Sequence, residues 1–154
     1  MGIGEKSNRV YCVDFGLSKR YANPKENFRH NDYNNYSSLA GTPRYASINN
    51  HMGISQSRRD DLESIAYMLI QFMKGTLPWQ GLKARDHKTK YKMILAKKKE
   101  TSIAQLCAGL PPAFGEFLHY ARTLQFAAKP DMVYIKKLFR DLYVAEGYDN
   151  DPVS

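Results

Sequence analysis

Residues 57–75 read SRRDDLESIAYMLIQFMKG, and this stretch decides how the rest of the chain is organised. Its apolar residues recur at helical spacing and cover nearly the whole circumference of a helix. They are Leu62, Ile65, Ala66, Tyr67, Met68, Leu69, Ile70, Phe72 and Met73. A helix that is apolar nearly all round belongs inside a domain. The stretch therefore predicts a central buried helix.

Both ends of this helix carry recognisable signals. Ser57 with Asp60 three residues later resembles a capping box, and Asp60 and Asp61 place negative charge at the positive end of the helix dipole. At the other end Gly75 suits a helix stop, and Pro78 prevents the helix from continuing. Taken alone, the charged start favours a solvated first turn. The surrounding chain, described below, favours a functional role instead.

The charge of the chain points towards an anionic partner. With 154 residues it suits one domain, and its net charge is +8, from 23 Lys and Arg against 15 Asp and Glu. Much of the excess lies within residues 83–99, where Asp86 is the only acid. The basic residues there are Lys83, Arg85, Lys88, Lys90, Lys92, Lys97, Lys98 and Lys99. Such a field suits a nucleic acid, a phosphorylated protein or an acidic peptide, although a solvated helix face explains it equally well. Because Tyr91 is the only aromatic residue among these charges, nucleic acid is disfavoured.

The sequence gives no sign of a membrane or an export route. No apolar run reaches the length of a membrane span, and the first residues lack the pattern of a secretory signal. Cys12 and Cys107 have no metal-ligand spacing, so we expect free thiols in a reducing compartment. These features predict a cytoplasmic or nuclear protein with no membrane partner.

The remaining elements follow from local patterns. Residues 1–3 and 9–13 are expected to form a short β-hairpin at the start of the chain. Residues 17–50 show no sustained periodicity, and such a long loop is either a functional lid or a disordered segment. Further helices are predicted at residues 86–99, 102–107, 111–124 and 131–146, and residues 149–154 are expected to fray. The predicted class is mainly α with a short β-hairpin at the N-terminus.

Several short motifs follow one another in an order known from protein kinases. They are DFGL at residues 14–17, GTPRYASIN at 41–49, QSRRDDLES at 56–64, LPWQGLKA at 77–84 and KPD at 129–131. This order resembles the large, C-terminal lobe of a protein kinase from the metal-binding loop onward. In detail it is similar to the casein kinase I family, where Ser-Ile-Asn, here residues 47–49, stands where most kinases have Ala-Pro-Glu. The resemblance covers residues 1–148, as a partial kinase domain that starts just after the catalytic loop.

The resemblance implies a serine/threonine kinase that transfers the γ-phosphate of ATP, with magnesium, to acidic or already phosphorylated proteins. The chain does not contain the glycine-rich loop, the strand lysine or the catalytic-loop aspartate and asparagine that this reaction needs. We therefore expect this chain alone to be inactive and not to bind ATP and magnesium tightly. The alternative is a non-catalytic lobe that binds phosphoprotein or a kinase partner.

The resemblance also assigns residues to the cofactor. Asp14 would hold the magnesium ion, because a hard cation needs carboxylate oxygen, and Val13 would line the base of the adenine pocket. Asp61 resembles the buried aspartate that supports the catalytic loop through hydrogen bonds. Without that loop, its carboxylate would lack a partner and its pKa would rise.

A second set of residues resembles the family's anion site near the substrate groove. It consists of Arg44, Gln80, Gly81 and Lys90. Arginine offers a planar fork, lysine a point charge and glycine an approachable backbone N–H, which together suit a phosphate. The simpler alternative is that Arg44 pairs with an acidic residue of its own loop. The four histidines, His30, His51, His87 and His119, show no metal or catalytic spacing and are expected to be surface or packing residues.

Overall fold

The computed structural model describes residues 1–148, so the predicted fraying of residues 149–154 lies outside the described residues. The described chain is mainly helical, with one two-stranded antiparallel sheet. Its elements are β1 (Ala22–Asn23), β2 (Arg29–His30), α1 (Ile48–His51), α2 (Arg58–Lys74), α3 (His87–Glu100), α4 (Ile103–Leu106), α5 (Pro112–Thr123) and α6 (Met132–Ala145). None of the helices in residues 1–148 is long and apolar enough to cross a membrane.

Helix α2 stands where the sequence predicts it, and its ends are fixed by local hydrogen bonds. At its start, Oδ2 of Asp60 accepts the backbone N–H of Ser57 at 2.8 Å, which is the bond expected of the capping pair. At its end, Gly75 adopts the left-handed conformation with φ 76°, and its N–H donates to the carbonyl of Gln71 at 2.7 Å. Glycine adopts this conformation without the steric penalty that a Cβ would bring.

The core forms between α2 and the helices that follow it, and α5 is its main partner. The buried cluster is Leu62, Ala66, Tyr67, Ile70, Leu77, Trp79, Ile94, Leu106, Phe114, Phe117, Leu118, Ala121 and Ile135. Phe139 of α6 stands edge-on to Phe114 and Phe117, with ring centroids 5.7 and 5.4 Å apart. Edge-to-face pairs of this kind add to the stability that comes from burying the rings. The apolar faces of α5 and α6 are therefore turned towards the core.

The prediction that α2 is buried on nearly all sides is wrong. Phe72 is 71% exposed, and Ile65 and Met73 are also exposed. Two charged residues, Asp60 and Glu63, lie instead on the buried face. The apolar pattern of α2 does not predict which face of the helix is buried. That depends on where α5 and the loop after α2 pack against it.

The hairpin predicted at the start of the chain is also wrong. Residues 1–3 and 9–13 form no strand, and Gly4–Lys6 is a single turn of 3₁₀-helix. The N–H of Gly2 does donate to the carbonyl of Arg9 at 2.8 Å, but no ladder develops beyond it. Val10 and Val13 are about four-fifths exposed, so the segment has no apolar face covered by another layer. An isolated hairpin is marginal in water without such packing.

The sheet forms instead inside the long stretch where no element was predicted. Strands β1 and β2 pair in antiparallel register, with Ala22 opposite His30. The connecting turn is stabilised by Asn23, whose side chain accepts the N–H of Lys25 at 3.0 Å. The hairpin is held to the rest of the fold because the ring of His30 packs against Phe126, 4.7 Å away. Long-range packing of this kind leaves no periodicity in the sequence.

The four later helices are confirmed within one or two residues of their predicted ends. Polar caps explain why the bounds are predictable. Asp86 accepts the N–H of Thr89 at 2.8 Å at the start of α3, Ser102 accepts that of Gln105, and Asp131 caps α6. On α3, Ile94 is buried, and so is Lys98, which we counted among the solvated or partner-facing charges.

Candidate anion-binding site

The four residues predicted to bind an anion lie together. Arg44, Gln80, Gly81 and Lys90 line one cavity of about 210 Å³, which we call the anion cavity. Its other lining residues are Thr42, Pro43, Trp79, His87, Tyr91 and Ile94. None of the lining residues is acidic, so the two fixed positive charges of Arg44 and Lys90 dominate the electrostatics of the anion cavity.

Three segments build this cavity. Residues 41–47, which we call the arginine segment, supply one wall, and the turn after α2 and the first turns of α3 supply the others. In the turn, Oε1 of Gln80 accepts from the hydroxyl of Thr76 and from the N–H of Leu77. The carbonyl end of the Gln80 side chain is thus occupied within the turn. Gly81 follows in the left-handed conformation, with φ 72°.

The side chain of Arg44 is not neutralised by the chain itself. Within residues 1–148 Arg44 forms no ion pair, and its guanidinium lies 5.8 Å from the centre of the Tyr45 ring. The only acid near the start of α3, Asp86, is engaged as the helix cap and with Arg85 at 3.3 Å. The bonds from Thr89 lower the pKa of Asp86, so that carboxylate keeps its charge at the cap. The alternative that Arg44 pairs with an acid of its own loop therefore has no support in the described residues.

A buried lysine fixes the backbone of the arginine segment. Lys98 is 0% exposed, and its Nζ donates to the carbonyls of Pro43 at 2.9 Å and of Ala46 at 2.5 Å. Its ammonium group also lies 4.8 Å from the ring centre of Tyr67 and 5.1 Å from that of Trp79. Contacts between a cation and an aromatic face stabilise the charge, more so when water is absent.

Burial nevertheless dominates the titration of Lys98. The loss of water lowers the pKa of Lys98 from 10.5 to about 7. Glu63 opposes this shift by its negative charge, and Arg122 adds to it by its positive charge. Charged or neutral, the amine has enough hydrogens for both carbonyls, so the bracing of the segment does not require the ammonium form.

Two further donors hold the same segment. The indole N–H of Trp79 donates to the carbonyl of Arg44 at 2.8 Å, and Nε2 of His51 lies 3.1 Å from the carbonyl of Pro43. Burial, together with the charge of Lys98, lowers the pKa of His51 to about 4. The imidazole is therefore neutral near pH 7, and Nε2 must carry its proton to donate to a carbonyl.

The end of the segment is tied to the start of α2 by buried acids. Oδ1 of Asp60 accepts from the hydroxyl of Ser47 at 2.6 Å and from the amide of Asn49 at 3.2 Å. Oε1 of Glu63 accepts the N–H of Ile48 at 3.2 Å. These bonds involve the Ser-Ile-Asn residues that stood out in the sequence. They fix the arginine segment relative to the central helix.

A buried ion pair completes the network under the segment. Glu63 also accepts from the hydroxyl of Tyr67, and Arg122 of α5 lies 3.5 Å from Glu63 and donates to the Tyr67 hydroxyl at 2.8 Å. Burial and the Glu63 charge raise the pKa of Tyr67, which keeps its phenol protonated. Burial alone would lower the pKa of Arg122, but the hydrogen bond to Tyr67 and the negative charge of Glu63 outweigh it and raise that pKa. A paired and hydrogen-bonded charge can be buried where a single one cannot.

Asp61 differs from what the resemblance implied. It is exposed, whereas its neighbour Asp60 is 1% exposed and holds the hydrogen bonds described above. Partial desolvation and the charge of Asp60 raise the pKa of Asp61. One step along a helix turns the side chain by roughly 100°, so only one of two adjacent aspartates can face the arginine segment.

The residues assigned to the cofactor are not brought to the anion cavity. Val13 is 79% exposed, and Asp14 is exposed in a left-handed turn with φ 65°. Magnesium is usually held by one or two carboxylates together with substrate phosphates, and Asp14 is one carboxylate alone. Within residues 1–148 no group of three or more His, Cys, Asp or Glu residues is placed to hold a metal. Asp14 thus offers one exposed carboxylate, which is a ligand type that magnesium commonly takes.

Some residues of the network carry a signal that was present in the sequence. Asp60 and Glu63 fall on the same helical face as Tyr67 and Ile70, so their spacing places charged groups within a buried stripe. Lys98 follows Ile94 by four residues and shares its face for the same reason. By contrast, the sequence offers no sign that His87 and Tyr91 line the anion cavity, because that depends on how α3 docks.

A scan of the sequence against protein-family models finds no matching family. The geometry of the anion cavity and the motifs quoted above are therefore the basis for assigning a function.

Proposed function

We propose that this chain binds phosphorylated or acidic segments of proteins in the anion cavity, as the substrate-side lobe of a casein kinase I-like serine/threonine kinase. The observation that carries the proposal is that Arg44 and Lys90, 46 residues apart in sequence (90 − 44), line one cavity without an acidic neighbour in its lining. Two unneutralised cations in a concave site attract an anion more strongly than the same charges on a flat surface.

The chemistry of the walls suits a tetrahedral oxyanion. A guanidinium can donate two parallel hydrogen bonds to phosphate oxygens, and an ammonium adds a compact charge. The backbone of Gly81 lines the anion cavity without a side chain in the way. Because Arg44 and Lys90 remain exposed, salt will screen the interaction and the affinity will be modest.

The test is binding of a phosphoserine peptide at low salt. Replacing both Arg44→Ala and Lys90→Ala should weaken binding by more than about tenfold, since each charge-assisted contact contributes roughly 1 kcal/mol or more. The matched control is Lys92→Ala with Lys99→Ala. It removes the same charge from exposed positions of α3 that do not line the cavity. Equal losses in the two double variants would show that only the general charge of α3 attracts the peptide.

For the longer kinase of which this chain would form one lobe, we also propose phosphate transfer from ATP. Asp14 would hold the magnesium ion of that reaction. The support is the order of motifs from DFGL to KPD, which resembles the casein kinase I family along the whole described chain. The alternative is a lobe without catalytic activity that binds phosphoprotein or a kinase partner. Both share the anion cavity, so the peptide experiment tests what they have in common.

A further inference from the structure

The anion cavity has two kinds of wall. One carries the charges of Arg44 and Lys90, and the other is apolar and aromatic. The apolar part is formed by Pro43, Trp79, Tyr91 and Ile94. A volume of about 210 Å³ exceeds what one oxyanion fills, since a water molecule occupies only about 30 Å³ of the liquid. A bare phosphate would leave the apolar wall in contact with water.

The apolar wall is rigid before any ligand arrives. The one polar group of the Trp79 ring is satisfied by the carbonyl of Arg44, and the ring stands edge-on to Tyr67 at 5.0 Å. The carbonyl of Pro43 is held by Lys98 and His51. A wall that is already ordered loses little conformational entropy when a ligand binds. Its contacts with the ligand therefore contribute more fully to affinity.

Aromatic surface stands directly beside the cationic groups. His87 and Tyr91 are one helical turn apart on α3, with ring centroids 6.2 Å apart and an interplanar angle of 51°. Lys90 and the half-buried Tyr91 both line the anion cavity, and both belong to the same turn of α3. A ligand with an anionic group on a flat ring can therefore contact the Lys90 charge and the Tyr91 ring at the same time. A serine phosphate, on a single methylene group, reaches the charges but offers little to the rings.

We propose that the anion cavity selects an anion carried on an aromatic ring, that is, an aryl phosphate such as a phosphotyrosine side chain, over the same anion on an alkyl group. This inference rests on the proposed function, because it concerns the same cavity. The cations fix the phosphate, and the ring of the ligand packs against Tyr91 and the apolar wall. Aromatic pairs contribute to affinity beyond the area they bury.

The experiment compares inorganic phosphate, ethyl phosphate and phenyl phosphate by titration at one pH and one salt concentration. Phenyl phosphate should bind about three to ten times more tightly than ethyl phosphate, which is the range that one aromatic pair supplies. Tyr91→Leu should bring this ratio close to one, and Tyr91→Phe should keep it. Tyr36→Leu is the matched control, because Tyr36 is fully exposed on a loop outside the cavity, and it should keep the ratio as well.

The outcomes separate the two claims. If phosphate binds through Arg44 and Lys90 but the phenyl and ethyl esters bind equally, the selectivity is overturned and the anion site stands. A preference for the phenyl ester that Tyr91→Leu leaves intact also overturns it. If no phosphate binds, the proposed function itself fails. A phosphotyrosine peptide that binds more tightly than phenyl phosphate identifies a protein as the source of the aryl phosphate, and the reverse order identifies a small molecule.

Discussion

The arginine segment and the amino-terminal segment, residues 10–17, are both irregular stretches that carry predicted site residues, yet they are held very differently. In the arginine segment, three carbonyls accept from the buried side chains of Lys98 and Trp79 and the half-buried ring of His51. In the amino-terminal segment, hydrogen bonds within the described chain reach no further than Ser18. The second segment is the more apolar and the more β-like in sequence.

The difference shows what orders an irregular segment. Apolar residues such as Val13 and Phe15 order a stretch only when another layer covers them, and here both are exposed. A polar loop becomes rigid when buried donors satisfy its carbonyls, because a buried carbonyl without a partner is costly. Arg44 is therefore presented at a fixed place, whereas the geometry at Asp14 rests on local turns alone.

The variant Lys98→Met is the most direct test of this difference between the two segments. It keeps the length of the side chain but removes its hydrogen-bond donors. The buried carbonyl of Ala46 loses the Lys98 donor and the half-buried carbonyl of Pro43 keeps only His51, so the free energy of unfolding should fall by about 3 kcal/mol. Urea denaturation measures the change. Lys99→Met, on the exposed side of the same helix, should stay within about 0.5 kcal/mol of the wild type, as should Val13→Ser in the amino-terminal segment. Similar losses in all three variants would remove the distinction between the segments.

The pH dependence of this loss gives the next largest effect. Unfolded Lys98 holds its proton up to its ordinary pKa of 10.5, whereas the folded protein releases it above about 7. Between these values the unfolded state binds more protons, so this group makes the fold more stable as the pH rises. From pH 7 to about pH 9, the advantage of the wild type over Lys98→Met should grow by on the order of 2 kcal/mol.

The groups facing Lys98 set the limits of that measurement. Arg122 keeps its charge throughout this range because its pKa is raised, and the raised pKa of Tyr67 affects stability only at higher pH. Protonation of His51 lies below it, since the pKa of His51 is about 4. Urea titrations of both proteins at several pH values measure the difference. A constant difference would mean that Lys98 keeps its proton in the folded protein despite its burial.

The smallest expected effect concerns the amino-terminal segment and its Asp14. We expect this chain to transfer no phosphate from ATP to casein, because none of its residues matches the aspartate that orients the substrate hydroxyl in kinases. Asp14→Asn should therefore change nothing. Radiolabelled phosphate incorporation is the measurement, with the unaltered chain and the variant side by side. Transfer that disappears in Asp14→Asn would show that this segment forms a working cofactor site after all.

Local chemistry explains which parts of the fold could be predicted. The bounds of α2 are set by Ser57, Asp60 and Gly75, whose effects act within a few residues, so the sequence alone locates them. The hairpin at β1 and β2 is stabilised by His30 against Phe126, a contact across nearly a hundred residues that no window of sequence contains. The strands predicted at residues 1–3 and 9–13 do not form, for the converse reason. Their local pattern favours strands, but their apolar side chains are not covered by another layer of the described chain.

The anion cavity was predictable only in part. Its members Arg44, Gln80, Gly81 and Lys90 came from the family resemblance, and the structure brings them together. The burial of Lys98 beneath them was hidden, because a lysine within a basic run looks like one more solvated charge. Only the docking of α3 against the arginine segment distinguishes that residue from its neighbours Lys97 and Lys99.

The buried position of Lys98 also makes it a chemical reporter of the arginine segment. An amine-reactive reagent meets the other lysines of residues 83–99 in solution but cannot reach an amine that is 0% exposed. Lys98 becomes available only when the segment lifts away from the core, so its rate of labelling follows that opening. The formal charge of +8 likewise describes the unfolded chain better than the folded one. One of its positive charges is withdrawn from the surface and is easily lost near neutral pH.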